Sequence, residues 1–279
     1  MDEDAGSMSR IFNSGAGAIV TKSIGLEPQE GYPNPTVVEL EHGILNAIGL
    51  ANPGIEYFKD EIKKLKTANI PVIASIYGSN SNDFVKLAQK MQEYGADALE
   101  LNMSCPHAKG YGLEIGSDPE LVKNITSNVK KAINLPVFVK LSPNLTDITK
   151  IARAAEKAKA DAIVAINTVK AMKIDIELKT PVLSNKIGGY SGKAIKPIGV
   201  RCVYEIYKNI NIPIIGVGGI TTGEDAIEYI MAGATTVQIG SAVYYRGIDV
   251  FNKVNQEITE WMKKLEIKNL NEIIGVAHQ

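Results

Sequence analysis

Seven short apolar runs begin in two alternating ways, and this alternation constrains the fold more than any other feature of the chain. Four begin "GAGAIV" (15–20), "GADALE" (95–100), "KADAIV" (159–164) and "GATTVQ" (233–238). Three begin on Asn-x-Pro: "NIPVIA" (69–74), "NLPVFV" (134–139) and "NIPIIG" (211–216). The two kinds alternate strictly, as a repeated βαβα unit would leave behind. The full runs are "AIVTKS" (18–23), "PVIASI" (71–76), "ALELNMS" (98–104), "PVFVKLS" (136–142), "AIVAINT" (162–168), "PIIGVGG" (213–219) and "TVQIGSA" (236–242). Stretches such as "EYFKDEIKKLKTAN" and "PELVKNITSNVKKAIN" lie between them, with apolar residues at helical spacing and a closing Asn. Apolar strands joined by helices predict a parallel sheet whose outer face is covered by helices.

A closed barrel of this kind wants eight strands, and seven are visible. "SMSRIFNSGAGA" reads as a helix leading into the first run, and a helix there implies a strand before it. The expectation is an α/β (β/α)8 TIM barrel forming one domain over residues 1–279, with its first β-strand missing from the N-terminus. The chain would then begin inside the first βα loop, through an internal start codon or a truncation. The alternative is an open, doubly wound sheet. With 45% hydrophobic residues and a net charge of −1, the chain gives no reason to invoke nucleic acid or a membrane surface. No apolar run reaches membrane-spanning length, and the acidic start "MDEDAGSMSR" is unlike a signal peptide. The two cysteines, Cys105 and Cys202, form no metal-type cluster and suit a reducing, cytoplasmic setting.

Active sites of such barrels lie at the C-terminal ends of the strands. Reading those ends gives Lys22, Ser75, Asn102 with Cys105, Lys140, Asn167 with Thr168, Gly218 with Gly219, and Gly240 with Ser241. The glycine-rich ends of the last two strands suit a phosphate seat, because glycine leaves backbone N–H groups uncovered; tight turns alone are the plainer reading. Lys22 and Lys140 could face negative charge on a bound ring or simply be solvated. Asn102 and Asn167 each offer a donor and an acceptor to a planar heterocycle, or serve as turn formers. Cys105, on a loop beside Pro106, is a candidate base or nucleophile, against the alternative of a small core filler. Cys202 lies in the helical "KPIGVRCVYEIYKNI" and reads as such a filler.

Taken together, "VTKS", "NAIGLANPG", "NMSCPH", "VKLSPN", "AINT" and "GGYSGKAIKP" run in order between about Gly15 and Ala242. On these motifs the chain resembles the class I, cytosolic dihydroorotate dehydrogenases, and within them the type-B catalytic subunit. The resemblance implies a barrel with one FMN per chain that oxidises (S)-dihydroorotate to orotate in pyrimidine (UMP) biosynthesis. It implies that Cys105 removes the C5 proton while hydride passes from C6 to the flavin. Lys22 would touch both flavin and substrate, and Ser23 the flavin. Asn46, Ala47, Ile48, Gly49 and Leu50 would hold the substrate, a cation plus bare amides being a sensible receptor for its carboxylate. Asn102, Asn167 and Thr168 would bind the pyrimidine edges. Ser75, Asn102, Lys140, Ile166, Gly192, Gly218, Gly219, Gly240 and Ser241 would complete the FMN seat, with no metal.

Three departures from the family pattern stand out. The opening strand and its flavin-contacting loop are absent, His107 stands where an asparagine is common, and Ser75 stands where a flavin-contacting asparagine is expected. "SCPH" also looks like the flavin domain of dihydropyrimidine dehydrogenase, which reduces uracil or thymine, and a catalytically inactive flavin-binding subunit is a further alternative. Class I enzymes pass electrons to a soluble acceptor such as fumarate, or to an FAD and iron–sulfur subunit that reduces NAD. "NAIGLANPG" and "GGYSGKAIKP" lean towards the second, a homodimer core extended to a heterotetramer by two partner subunits.

Overall fold

The structure, a computed structural model, describes residues 3–103 and 113–279. The chain runs through α1 (Ala5–Asn13), β1 (Ile19–Val20), a hairpin of β2 (Val37–Leu40) and β3 (Gly43–Asn46), α2 (Ile55–Thr67), β4 (Val72–Ile76), α3 (Ser81–Tyr94) and β5 (Ala98–Asn102). It continues through α4 (Leu113–Ser117), α5 (Pro119–Ala132), β6 (Val137–Leu141), α6 (Ile148–Lys157) and β7 (Ala162–Ala165). Then come β8 (Val169–Met172), β9 (Ile174–Asp175), β10 (Thr180–Pro181), β11 (Ile187–Ser191), α7 (Lys196–Tyr207) and β12 (Ile214–Val217). The last elements are α8 (Gly223–Met231), β13 (Thr236–Gln238), α9 (Ala242–Arg246) and α10 (Val250–Lys264).

Local chemistry sets the helix limits. Asn80, Asp118, Asp147 and Thr222 each accept a backbone N–H from the first turn of α3, α5, α6 and α8. Gly95 ends α3 in the left-handed conformation. The buried face of α3, Phe84, Leu87, Ala88 and Met91, keeps the i, i+3, i+4, i+7 spacing, as does that of α5, Val122, Ile125, Thr126 and Val129. Burying a Phe84- or Leu87-sized side chain is worth about 1.5–3 kcal/mol.

Every strand of the main sheet is parallel to its neighbours, in the order β1-β4-β5-β6-β7-β12-β13. The two kinds of strand start mark alternate seams of this sheet. At one kind of seam a proline carbonyl accepts from the neighbouring strand: Ile19 N–H to Pro71, Leu99 N–H to Pro136 and Ile163 N–H to Pro213, at 3.0, 2.9 and 3.0 Å. Proline fits there because it lacks an N–H but keeps its carbonyl. At the other kind an aspartate bridges back to the preceding strand and helix. Asp97 accepts the Val72 N–H at 2.7 Å and the Lys66 ammonium at 2.6 Å. Asp161 does the same with the Val137 N–H at 2.6 Å and Lys130 at 2.7 Å. The last start of this kind has Thr235 instead, which keeps only the backbone bond to the Ile214 carbonyl, 2.7 Å.

The sheet is strongly curled. Gln238 on β13 donates to Glu100 on β5 at 3.1 Å, although four inter-strand steps of a flat sheet would separate them by roughly 19 Å. Side chains of the outward face, among them Leu99, Leu101, Val137, Val139 and Ile163, pack under the helices in the main core. The inward face has two tiers. Ala162, Val164 and Ile215, with Phe138 and Val217 packed against them, form an apolar tier, and Ser75, Glu100, Asn102, Lys140 and Gln238 form a polar tier. This is the TIM-barrel-like α/β architecture the sequence predicts, seven parallel strands being present among the described residues.

A feature without a sequence signal is a second, antiparallel sheet, β2-β3-β11-β8, built from two loop excursions. Its cluster of Leu45, Ala47 and Leu183 is separate from the main core, and it carries Asn46 at the end of β3.

Asp97→Ala and Asp161→Ala should each lower stability by about 1–3 kcal/mol, the cost of stranding a strand N–H. Serving different seams, the two losses should add to within about 0.5 kcal/mol. Urea midpoints of the two single variants and the double variant check both statements.

Candidate active site

The polar tier is one connected network. The Ser23 and Ser75 hydroxyls lie 3.0 Å apart, the Asn102 amide donates to Ser23 at 2.8 Å, and the Asn167 amide reaches the Asn102 carbonyl at 3.5 Å. Asn167 in turn accepts the Thr168 N–H at 2.7 Å. Lys140 joins through Glu100, its ammonium 3.3 Å from the carboxylate that also accepts from Ser75 and Gln238. Side chains from six strand ends, those of β1, β4, β5, β6, β7 and β13, thus converge, as the barrel reading requires. Ser75 is buried, so its hydroxyl can serve a ligand only from the edge of this network. Cys105 and His107 lie outside the described residues.

Lys22 follows the end of β1, half-buried, with Glu3 at 3.6 Å. Thr21 holds that end in place by accepting the Ser75 N–H at 3.0 Å. The Asn46–Leu50 loop is tied to the same region by Asn52, whose capacity is fully used. Its carbonyl accepts the Gly25 and Gly54 N–H groups at 3.2 and 2.9 Å, and its amide donates to the Leu50 carbonyl and the Tyr77 hydroxyl, both at 2.7 Å. Within the loop Gly49 takes φ +79°, and a Cβ there would lie 2.7 Å from the Tyr32 nitrogen. Ala47 is buried, Gly49 and Leu50 turn the chain, and the Asn46 amide donates to the Gly189 carbonyl at 3.3 Å.

At the end of β7 the Ala165–Ile166 peptide is cis. The Ile166 and Asn167 N–H groups donate to Val217 and Leu141 on the flanking strands at 2.8 and 2.9 Å. Asn144, from "LSPN", donates to the Thr168 carbonyl at 3.0 Å and accepts the Lys170 N–H at 2.8 Å, fixing the loop that carries Asn167 and Thr168.

The glycines of the last strands meet those of "GGYSGKAIKP". Gly219 takes φ +70°, and a Cβ would lie 2.7 Å from the Gly192 carbonyl and 2.9 Å from the Lys196 nitrogen. Gly192, at φ +106°, would collide with Gly43. Val217 and Gln238 are paired, so the loops that follow, with Gly218–Gly219 and Gly240–Ser241, leave the sheet side by side. A Cβ at Gly240 would meet nothing within 4 Å. Bare backbone on one side and open space on the other is what a phosphate-bearing group needs, and the donor set of the polar tier fits a planar ring with amide edges. Tyr229, its hydroxyl pushed up by burial, braces the seat by donating to the Gly218 carbonyl at 2.7 Å. Behind it, Lys196 bridges Asp225 at 2.9 Å and Glu228 at 2.6 Å, and Asp225 accepts the N–H groups of Thr221 and Thr222. Burial raises the Asp225 carboxyl, but Lys196 and Thr221 more than offset this and hold it at about 2. Cys202 is a fully buried helix residue whose thiol burial pushes up to about 11, consistent with a filler.

Sequence reading missed Glu100, Gln238, Asn52 and Asn144. A signal existed for Glu100, a charged residue two positions before Asn102 and so on the same face of "ALELN". Asn52 and Asn144 stand in turn-like contexts that give no hint of their partners.

The sequence profile of the family described as Dihydroorotate dehydrogenase matches residues 1–262. Among curated proteins, the chain is 53% identical to a protein of Methanocaldococcus jannaschii, over 100% of this chain and 92% of that protein. It is 54% identical to one of Thermoplasma acidophilum, over 99% and 92%, and 53% identical to one of Pyrococcus furiosus, over 98% and 90%. All three are named dihydroorotate dehydrogenase B (NAD(+)), catalytic subunit.

The Asp225 brace has a pH signature. A carboxyl held at about 2 instead of 3.8 adds stability that is present above pH ~4 and lost as pH falls towards ~2. Asp225→Asn should therefore lower the urea midpoint at near-neutral pH and flatten its decline between those limits, as a series of urea titrations across this range will read.

Proposed function

The chain belongs to the dihydroorotate dehydrogenase family, and from that premise we propose that it is the catalytic subunit that oxidises dihydroorotate to orotate with bound FMN. The observation that carries this reading is the linked set Ser23, Ser75, Asn102 and Asn167 beside the Gly192–Gly219 seat. It joins polar ring recognition to a phosphate cradle at one end of the sheet. When bound, the flavin supplies the acceptor for the hydride that leaves C6.

The chain's own residues do the rest. Cys105, as thiolate, takes the C5 proton, so the C5–H and C6–H bonds break and a C5=C6 double bond forms. Lys22 and the backbone amides of the Asn46–Leu50 loop grip the substrate carboxylate by charge-assisted hydrogen bonds. Asn102, Asn167 and Thr168 orient the ring edges, so that the proton to be removed faces the sulfur. Lys140, Ser23, Ser75, Ile166, Gly192, Gly218, Gly219, Gly240 and Ser241 hold FMN, with Lys140 at the ring and the glycines at the phosphate.

Electrons then leave for NAD through a partner subunit, in keeping with the names of the relatives. In this reading the FAD and iron–sulfur cluster belong to that partner, in a heterotetramer around a homodimer of this chain. No helix among the described residues is long and apolar enough to cross a membrane, and a cytoplasmic location fits the composition. Assaying the purified chain with fumarate, NAD and a dye, with and without the partner, tests the electron route.

The isolated protein should be yellow, and anaerobic dihydroorotate should bleach its visible flavin band; a colourless protein with no response sinks the proposal. Cys105→Ala should keep its flavin and slow bleaching by about 10²–10⁴-fold, the usual worth of a positioned base. His107→Asn should flatten any pH dependence of turnover between about 5.5 and 7.5, where imidazole changes charge; pH–rate profiles of both proteins compare directly.

A further inference from the structure

Glu100 takes no part in the steps above, yet it is a carboxylate only 1% exposed on the inward face of the sheet. All its partners donate to it: Lys140 and Ser75 at 3.3 Å on one oxygen, and Gln238 at 3.1 Å on the other. Burying a charge is costly unless it is paired, and an apolar residue would fill the same space at less cost. Among the described residues Glu100 is the one hydrogen-bond partner of the Lys140 ammonium. The Lys140 side chain is 21% exposed against 1% for Glu100, so the ammonium sits between a buried carboxylate and the open strand ends. Lysine is a point charge on a flexible stem. Here its anchor is itself fixed by β4 through Ser75 and by β13 through Gln238.

We propose that Glu100 is a positioning residue that holds the Lys140 ammonium at the flavin ring and balances part of its charge, and so sets the reduction potential of the bound flavin. This rests on the reading that Lys140 faces that ring. A cation beside the ring favours the reduced, anionic flavin, and nearby protein charge is a lever on its electronics. The Glu100 carboxylate weakens that effect from behind, and replacing it with a neutral amide leaves the ammonium uncompensated.

The test measures the midpoint potential of bound FMN by anaerobic equilibration with a reference dye, alongside the affinity for oxidised FMN. Glu100→Gln should favour reduced over oxidised flavin by about tenfold, an upward shift of about 30 mV for a two-electron couple. Lys140→Met should shift it downward, and adding Glu100→Gln to that variant should change the ratio by less than about threefold, there being no ammonium left to hold. Glu100→Asp, which keeps the charge but withdraws it, should shift the potential upward by less, and carries the test if Glu100→Gln does not fold. An unchanged potential with oxidised FMN still bound, or a full shift in the Lys140→Met background, overturns the inference. A wild-type protein that binds no FMN overturns instead the reading beneath it.

Discussion

Two hydrogen-bond devices, a proline carbonyl at one seam and an aspartate carboxylate at the next, lock neighbouring strands together at their first residues. The register of the sheet follows from them, and side-chain direction follows from register, because strands have a period of two. A one-residue slip of β5 would send Glu100 and Asn102 under the helices and bring Leu99 and Leu101 to the inside. The site is therefore specified at the opposite end of the strands from where it lies. Asp97 and Asp161 contribute nothing to ligand chemistry, yet they determine which side chains can.

The inward face then divides its work. Phe138, Val164, Ile215 and Val217 fill part of the interior and gain from burial. The polar tier above them costs free energy to desolvate, and it is tolerable because its members satisfy one another. Glu100 has three donors, and one of the Ser23 and Ser75 hydroxyls donates to the other. Phe138 and Lys140 are successive inward positions of β6, so the apolar tier stiffens the platform on which the polar one is held.

The parts that sequence reading reached are those fixed by local chemistry. Strand starts were legible because the Asn-x-Pro starts alternate with the Gly-Ala or Lys-Ala starts along the chain, and α3 and α5 because a buried helical face has its own spacing. The strand ends were legible because a charged or amide residue closing an apolar run stands out, and Ser23, Ser75, Asn102 and Asn167 do meet in space. The hidden parts depend on distant partners. The antiparallel sheet pairs Leu45 with Tyr190, and nothing in "TVVELEHGILN" announces a mate so far along the chain. Glu100 looks like an ordinary surface charge until curling brings Gln238 to it, and Asn46 is placed by that second sheet and not by the barrel.

Asn52 shows what full satisfaction means for change over time. Its side chain meets two N–H groups with its oxygen and two oxygens with its nitrogen. Aspartate would set oxygen against the Leu50 carbonyl, leucine would abandon all four groups, and glutamine would carry the amide one methylene too far. No one-step replacement keeps the knot tied, so the loop and the two strand ends it joins can drift only as a unit. A lineage exploring new ligands would find this corner frozen long before the glycine-lined seat.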